Sequence, residues 1–573
     1  MLKNNYIIFF FNQNKVTKVI ILIAIIDFHG QYVYLIANRL NELGVENISV
    51  KTYDELKKVN NLKGIILSGG PYSVYERDAK TIDKRIFDLD VPILGICYGH
   101  QLIAYLLGGE VGRGTPEFGF SIFRPRQDIL FKGLDKEEIV WMSHRDEVFS
   151  IPPSGEILGS TDLCKIAAYK VGDNIYGVQF HPEVSHTLKG NVILRNFAFK
   201  ICKEEKRSWD VKIFINKTIE YLRENINGVA ILGFSGGVDS TTCAALARKA
   251  GIDTHIIFVD HGFMRKEDKL GKIFKMFDVK YIDASDMFFD AVKDVLDPDE
   301  RRRIIGKLFI DIFEEEAKSV GAKYLIQGTI APDVIESTRG DDSRGSGFIK
   351  IHHNVGGLPE KLNLKIIEPL KPLFKYQVRL LAKALGLPDY IVNRQPFPGP
   401  GLAVRIIGRI TKSKVDILRE ITHVTSTFLS KYRYSQYFAA MIPIIGHRVS
   451  DGFVFEVGSI GVKGDSRVLA NILSVDIDWD SLSYYDLLKL QSRLTSKYKN
   501  ITRVIAKVMG NYIKGKDAIV IRAVTTEDFM TATPANVPIT ELRKIARYAL
   551  RFNSIKYVGY EITTKPPSTI ELI

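Results

Sequence analysis

Short apolar runs rich in β-branched residues alternate with amphipathic helical patterns over residues 18–200, and this alternation limits the possible folds more than any other feature of the chain. Strands that alternate with helices form a parallel sheet covered by helices on both faces. The same rhythm returns after residue 229. The predicted strands are 19–26, 48–51, 64–67, 92–96, 139–142, 175–180, 229–234, 254–259, 279–283 and 324–327, and the clearest helices are 32–43, 101–107 and 242–250. The pattern predicts two doubly wound α/β domains.

We place domain boundaries where the alternation of strand and helix patterns stops. The segment 203–208 is charged and non-periodic, and the Pro/Gly-rich segment 395–401 can continue neither a helix nor a strand. At 573 residues the chain is long enough for several domains, each with its own core. We therefore expect an N-terminal extension at 1–17 and domains at 18–205, 206–394 and 395–573. The last domain mixes helices with strand-like runs such as 518–524, which indicates an α+β fold.

Charge and cysteine content limit the expected partners and cellular location of the protein. The net charge is +13, but 79 basic and 66 acidic residues are mixed along the chain, which favours anionic small molecules over nucleic acid as partners. Four widely spaced cysteines form no C-x-x-C pair, so a reducing cytoplasm is expected. Neither apolar run near the N-terminus is long enough to span a bilayer, so no membrane association is expected.

A thiol lies at a tight turn in the first domain. Cys97 lies between Gly95 and Gly99, after a predicted strand and before a predicted helix. This spacing is typical of a strained turn that exposes a nucleophile, and the helix N-terminus favours a thiolate. Downstream, His181 can accept the thiol proton and Glu183 can orient the imidazole. The loop 68–71 offers backbone N–H groups for an oxyanion hole.

These three segments together resemble the class I glutamine amidotransferase family. The resemblance covers about 180 residues and rests on 95–101, 179–183 and 68–71. It implies that a cysteine attacks the glutamine amide, ammonia leaves, and water hydrolyses a glutamyl thioester. It also implies a catalytic triad and a glutamine-binding set. The triad is Cys97, His181 and Glu183, and the glutamine-binding residues are Gly70, Gln101, Ser143 and His144.

A second reactive segment, at 235–240, is a glycine-rich turn between a predicted strand and a predicted helix. Consecutive backbone N–H groups and a helix N-terminus then converge on an anion, and phosphate fits best. A Walker A loop is excluded because no Gly-Lys-Ser/Thr occurs. The pattern instead resembles the N-type ATP pyrophosphatases, which implies cleavage between the α- and β-phosphates. The expected ATP-binding residues are Ser235, Gly236, Gly237, Val238, Asp239, Ser240, Thr241 and Val259, with Asp239 also holding Mg²⁺ as the cofactor of ATP.

Further motifs indicate which molecule accepts the ammonia, because they resemble the GMP synthetase family and extend the resemblance over nearly the whole chain. These motifs lie at 327–337, 349–359, 395–405, 521–524, 530–532 and 564–571. The resemblance implies a glutamine-dependent, AMP-forming ligase that adenylates XMP and aminates it to GMP. It also implies a C-terminal dimerisation domain, hence a homodimer. The implied XMP-binding residues are Arg302, Lys565, Thr569 and Glu571, and the implied lid carries Lys350, His352 and His353.

The chain departs from the common family pattern in three places. His29-Gly30 stands where the family usually has Gly-Ser, Gln395 stands where His is frequent, and the third domain is lengthened between about 465 and 518. Three other interpretations stay open at this point: a glutamine-dependent NAD synthetase, a tRNA-modifying enzyme and a non-catalytic nucleotide sensor. An NAD synthetase commonly uses a nitrilase-type glutaminase, and a tRNA-modifying enzyme is supported only by the basic pI. A non-catalytic sensor would leave the residues of both the thiol site and the phosphate loop unexplained.

Overall fold

The computed structural model describes residues 22–30, 32–204, 210–266, 271–331, 333, 364–463, 466–526 and 531–572. The chain divides into two compact units. One contains residues 22–204, 466 and 531, and the other contains residues 210–463, 467–526 and 532–572 as far as they are described. The extension predicted at 1–17 lies outside the described residues. The domain boundaries at 205/206 and 394/395 stay predictions.

The first unit is built on one sheet of nine strands. The strands are β1 (Leu22–Ile26), β2 (Asn47–Val50), β3 (Leu62–Leu67), β4 (Ile93–Ile96), β5 (Glu110–Pro125), β6 (Glu138–Ser150), β7 (Gly155–Ser160), β8 (Ala168–Val171) and β9 (Ile175–Val178). The helices are α1 (Val33–Leu43), α2 (Tyr53–Leu56), α3 (Tyr98–Leu106) and α4 (Gly190–Asn196), with a 3₁₀ turn at Lys84–Asp88 and a π turn at Phe197–Ile201. The strand order is β2-β1-β3-β4-β9-β8-β7-β5-β6.

The two halves of this sheet differ in strand direction. Strands β2, β1, β3, β4 and β9 are parallel, and the remaining neighbours pair antiparallel. Alternate residues of β1 enter different cores, with Ile23 and Ile25 in one and Ala24 and Ile26 in the other. Both faces of the parallel half are therefore covered, as the continuous apolar runs predicted. The loops that follow β3, β4 and β9 meet at the same edge because these strands are parallel.

The second unit contains two sheets. Its strands are β10 (Ala230–Gly233), β11 (Thr254–Asp260), β12 (Lys280–Asp283), β13 (Tyr324–Ile326), β14 (Lys365–Ile367), β15 (Gln436–Pro443), β16 (Gly446–Val449), β17 (Gly452–Lys463), β18 (Ser466–Val475), β19 (Ile501–Gly510), β20 (Asp517–Thr525), β21 (Thr533–Pro534) and β22 (Ile555–Glu561). Its helices are α5 (Val211–Asn225), α6 (Val238–Ala250), α7 (Gly271–Phe277), α8 (Ser285–Val292), α9 (Pro298–Val320), α10 (Lys375–Ala384), α11 (Asp389–Val392), α12 (Lys412–Leu429), α13 (Tyr484–Lys497) and α14 (Ile539–Ala549), with a 3₁₀ turn at Gly401–Arg405.

The smaller of these sheets is wholly parallel and has the order β12-β11-β10-β13-β14. Strand β10 is central, and the chain leaves it in one direction toward β11 and later returns on its other side as β13. The loop after β10 therefore lies at the point where the strand order reverses, which is where open α/β sheets bind ligands.

The larger sheet is mixed and has the order β15-β20-β22-β19-β18-β17-β16, with β21 paired to β20. Strands β18 and β19 and helix α13 come from the lengthened segment, and β19 lies between β18 and β22. The segment predicted to be lengthened thus contributes two strands to the sheet. The predicted fold class, two parallel-sheet α/β parts followed by an α+β part, is confirmed.

Candidate functional site

The turn that carries Cys97 has an unusual backbone. Cys97 has φ 54° and ψ −104° and immediately precedes α3. Its backbone N–H donates to Val178 O at 2.8 Å, which ties the turn to β9. The two glycines of the motif are required, since a Cβ on Gly95 would lie 2.5 Å from Gly99 O and a Cβ on Gly99 would lie 2.3 Å from Leu67 O. The surrounding packing thus imposes a conformation that a non-glycine residue rarely adopts.

His181 and Glu183 form a buried pair beside this turn. His181 Nδ1 lies 2.7 Å from Glu183 Oε1, and the side chain of Glu183 is fully buried. A Cβ added to Gly69 would lie 3.1 Å from His181 Cε1 and 3.8 Å from Cys97 Cβ, so the ring and the cysteine lie side by side. Burial lowers the pKa of His181, but the charges of Glu183 and Cys97 outweigh burial and raise this pKa well above its ordinary value. The arrangement is a thiol, a base and an acid that orients the base.

Polar groups from β6 and β9 surround the thiol. Gln179 Nε2 lies 3.7 Å from Cys97 Sγ, and the thiol lies 3.6 Å from Ser143 O. Gln101 lies on α3, and its Nε2 donates to Asp146 O at 2.7 Å and to Gln179 Oε1 at 3.1 Å. Two predicted glutamine-site residues therefore contact the cysteine or its neighbours. The predicted site lacked Gln179, although it lies directly before the Phe180-His181 pair.

His144, the third predicted glutamine-site side chain, is buried with both ring nitrogens engaged. Nδ1 lies 3.0 Å from Asp146 O, and Nε2 lies 3.2 Å from Glu117 Oε2 on the neighbouring strand β5. A carbonyl oxygen can only accept, so Nδ1 donates to it. The ring holds the Ser143–Asp146 stretch in place, and that stretch supplies the Ser143 carbonyl to the thiol.

Gly70, the fourth predicted glutamine-site residue, lies in the loop after β3. A Cβ at Gly70 would lie 2.9 Å from Phe28 O, so a side chain does not fit there. A Cβ at the adjacent Gly69 would lie 3.1 Å from the His181 ring. The loop thus brings backbone close to the Cys97–His181 pair, as an oxyanion hole built from backbone N–H groups requires.

The glycine-rich loop at 235–240 connects β10 to α6. Gly236 has φ 69°, and Gly237 directly precedes the first helical residue, Val238. Ser240 Oγ accepts from Ser235 N at 3.3 Å, and Thr241 Oγ1 donates to Gly237 O at 2.8 Å. These side chains hold the loop around the N-terminus of a helix of 13 residues, a geometry that suits phosphate oxygens.

Two cations on α10 approach this loop, and sequence reasoning missed them. Lys375 Nζ lies 2.5 Å from Asp239 Oδ2. Arg379 is one helical turn further along α10, and burial lowers its pKa while the charge of Asp239 raises it. The signal available was a Lys and an Arg four residues apart on one helix face, in a segment without a glycine motif.

Asp239 fits the predicted magnesium role in one respect. Its Oδ1 atom is buried and has no hydrogen-bond partner within the described residues. Mg²⁺ commonly takes one or two protein carboxylates and completes its shell with water and phosphate oxygens. A carboxylate oxygen without a partner at a phosphate loop is a suitable ligand for it.

Val259 lies near the carboxyl end of β11, beside β10 in the parallel sheet. The next histidine, His261, is buried and accepts from Phe263 N at 3.1 Å through Nδ1. Its ring also contacts Phe288 and Phe309. His261 is therefore a packed core residue, and Val259 is the predicted nucleotide contact of this strand.

The predicted XMP residues lie on α9 and in the C-terminal segment. Arg302 is half-buried on α9. Its neighbour Arg301 is fully buried and donates to the carbonyl oxygens of Ala403 and Ile406, both at 2.8 Å, so it does not lie on a solvated helix face. Arg405, between those two residues, pairs with Glu571 through two contacts of 2.9 and 2.7 Å. Arg301 and the C-terminal segment are thus both bound to the stretch 403–408.

Thr569 and Lys565 complete the C-terminal set. Thr569 Oγ1 interacts with Arg503, and the backbone N–H of Lys565 donates to Ala532 O at 2.8 Å. The predicted lid residues Lys350, His352 and His353 lie outside the described residues. Within the part of the chain that the structure describes, no helix combines the length and the apolar character needed to cross a bilayer.

Comparison with known proteins places this geometry in a family. Residues 24–201 match the family model of class I glutamine amidotransferases, and residues 506–572 match that of the GMP synthase C-terminal domain. A GMP synthase [glutamine-hydrolyzing] of Aquifex aeolicus is 39% identical over 567 residues, covering 96% of this chain and 99% of the relative. The chain belongs to the glutamine-hydrolysing GMP synthase family. A family member from Caldicellulosiruptor saccharolyticus is 41% identical over 570 residues, with 96% and 99% covered.

Membership confirms the resemblance predicted from the motifs of both units. It also decides among the open interpretations, since these relatives align with 96% of the chain and carry one name. Glutamine-dependent GMP synthesis by a ligase is the activity of the family.

Proposed function

We propose that the chain hydrolyses L-glutamine at Cys97 and uses the ammonia as the amine donor in an ATP-dependent conversion of XMP to GMP. The observation that carries the proposal is the pairing, in one chain of this family, of a strained buried cysteine beside His181–Glu183 with a phosphate loop at the switch point of a parallel sheet. Neither site alone specifies an amidotransferase that consumes ATP.

In the glutaminase reaction, the Cys97 thiolate attacks the side-chain amide carbon of glutamine. The raised pKa of His181 favours an imidazolium beside Cys97. His181 then gives its proton to the departing ammonia, and Glu183 stabilises the imidazolium throughout. Water, deprotonated by His181, hydrolyses the glutamyl thioester. Backbone N–H groups of the loop 68–71 are the proposed donors to the tetrahedral oxyanion.

In the synthetase reaction, the C2 oxygen of XMP attacks the α-phosphorus of ATP, and pyrophosphate leaves. The loop 235–240 binds the β- and γ-phosphates, and Lys375 and Arg379 neutralise their charge. Asp239, whose Oδ1 has no hydrogen-bond partner among the described residues, would hold Mg²⁺, which would supply further charge neutralisation. Ammonia displaces AMP from the adenylyl intermediate, so water must be kept out until it arrives.

The remaining predictions concern the setting of the enzyme. All four cysteines are free thiols, which supports the proposed cytoplasmic location. XMP and ATP are anionic, which supports small-molecule partners for a chain of net charge +13. The homodimer implied by the family resemblance stays a prediction, and light scattering coupled to size-exclusion chromatography tests it.

One assay tests the function directly. Purified protein is incubated with ATP, Mg²⁺, glutamine and XMP, and GMP, AMP, pyrophosphate and glutamate are followed. We expect GMP, AMP and pyrophosphate in equal amounts, with no pyrophosphate formed when XMP is omitted. Pyrophosphate release that is independent of XMP would contradict the proposed acceptor.

A further inference from the structure

A buried group of charged residues contacts the C-terminal segment 563–571. Arg503 on β19 and Arg522 on β20 pair with the same oxygen of Glu561 on β22, at 2.7 and 3.2 Å. All three side chains are fully buried. We call these three residues the arginine–glutamate core.

The arginine–glutamate core binds the segment 563–571 through guanidinium donors. Arg503 donates to Thr569 O at 3.0 Å and also to Thr569 Oγ1 and Glu571 O. Arg522 donates to Thr563 O at 2.6 Å and to Ser568 Oγ at 3.0 Å. Residues 563–571 form neither a helix nor a named strand, so much of their backbone depends on side-chain donors for its hydrogen bonds.

This group also carries an excess of positive charge. Together with the Arg405–Glu571 pair, it contains three guanidinium groups and two carboxylates. Buried ion pairs seldom stabilise a fold more than apolar residues of the same volume would. Arg503 Nε, Arg522 Nε and Glu561 Oε2 are buried and have no hydrogen-bond partner among the described residues, so the arrangement is costly for the free protein. An anion bound at the segment 563–571 would balance the excess charge.

We propose that Arg503, Arg522 and Glu561 are positioning residues for nucleotide binding. They hold the segment that carries Lys565, Thr569 and Glu571, and they offer its phosphate ligand a positive field. The ligand class is a nucleoside monophosphate dianion, and the inference rests on the proposed function in taking XMP as that nucleotide. The three residues act through the segment and touch no reacting atom.

Replacing Arg503 tests the proposal, because Arg503→Met removes both the donors to the segment and the excess charge, while Glu561 keeps Arg522 as its partner. We expect the Kd for XMP, measured by isothermal titration calorimetry, to rise at least about tenfold. The KM for XMP should rise in parallel, whereas kcat at saturating XMP and the KM for ATP should change less than about threefold. Arg503→Lys keeps the charge without the planar fork, and should show a smaller rise.

A matched control separates positioning from general stability. Lys414 pairs with Asp517 at 2.8 Å in the same unit and is partly buried, so Lys414→Met also breaks an ion pair. It should lower the melting temperature and leave the Kd for XMP unchanged. If the Met variant does not fold, the Lys variant decides. An unchanged XMP affinity in a folded Arg503 variant would overturn the inference, whereas absence of XMP binding by the wild type would refute the proposed function itself.

Discussion

At the scale of single residues, Cys97 combines an unfavourable backbone with a buried, polar surrounding. Its φ of 54° is imposed by packing around Gly95 and Gly99, and its thiol contacts Ser143 O on β6 and the Gln179 side chain directly after β9. Strain of this kind persists only where the surrounding structure over-determines it. Sequence motifs located Cys97, His181 and Glu183 because each follows a strand with a turn residue nearby. The motif 179–183 contains Gln179 but predicted no role for it, because a glutamine at the end of a strand has no spacing signature.

The His181–Glu183 pair has a consequence for stability against pH. Folding raises the pKa of His181 above its unfolded value near 6.5, so protonated His181 stabilises the fold fully below that pH and the contribution is lost as pH rises through the folded-state pKa. Glu183→Gln removes a cause of the raised pKa. We therefore expect the melting temperature of Glu183→Gln to lie further below wild type at pH 6 than at pH 9, as measured by differential scanning calorimetry.

The same variant should lower kcat of glutamine hydrolysis by about 10²- to 10⁴-fold, because His181 loses the partner that orients it. An equal loss of melting temperature at both pH values would show that the pair does not titrate as proposed.

At the scale of helices and strands, the sequence was most informative where both faces of an element are buried. The parallel strands β1, β3, β4 and β10 were predicted to within three residues of their described ends, because continuous apolar runs between turn residues have few other structures available. The antiparallel hairpin β5–β6 was largely missed, since strands with one exposed face carry polar residues at alternate positions. His144 and Glu117 meet across that hairpin, so their contact was missed as well.

Helix α10 shows what motif reasoning omits at the phosphate loop. Its residues Lys375 and Arg379 approach Asp239, and their role depends on how α10 packs, which no local pattern specifies. Lys375→Met should raise the KM for ATP by at least about tenfold and slow adenylation, because the cation paired with Asp239 beside the phosphate loop is lost. Pyrophosphate formation in the presence of XMP and ammonium measures this directly.

The control for this prediction is Lys371→Met, four residues earlier in the chain. Lys371 pairs with Glu368 at 2.7 Å and is more exposed than Lys375. Its loss should leave the KM for ATP within about twofold of wild type. An equal rise in the KM for ATP in the two variants would mean that Lys375 contributes only to the net charge of the protein and has no specific position at the phosphates.

At the scale of the whole molecule, two compact units carry two separate chemistries. The thiol and its partners all belong to residues 22–204, and the phosphate loop and the C-terminal segment belong to the other unit. Each unit has its own sheets, so each active arrangement is supported by its own scaffold. The motifs were sufficient to predict both chemistries, and the family comparison added that a relative aligned over 99% of its length is named GMP synthase [glutamine-hydrolyzing].

Separate scaffolds predict that one half-reaction can be removed without the other. Cys97→Ala should reduce glutamine-dependent GMP synthesis by at least about 10³-fold, because no other group replaces the nucleophile. Synthesis from added ammonium should stay within about twofold of wild type, since ammonium supplies the amine directly. Both rates are measured as XMP-dependent AMP formation on the same preparation.

Cys164→Ala is the matched control, since Cys164 is a second buried cysteine of the same unit. Burial raises the pKa of its thiol to about 12, so it stays protonated at neutral pH and cannot act as a nucleophile. This variant should keep both activities. Loss of ammonium-dependent synthesis in a folded Cys97→Ala variant would show that the synthetase unit depends on the integrity of the thiol site, which independent scaffolds do not predict.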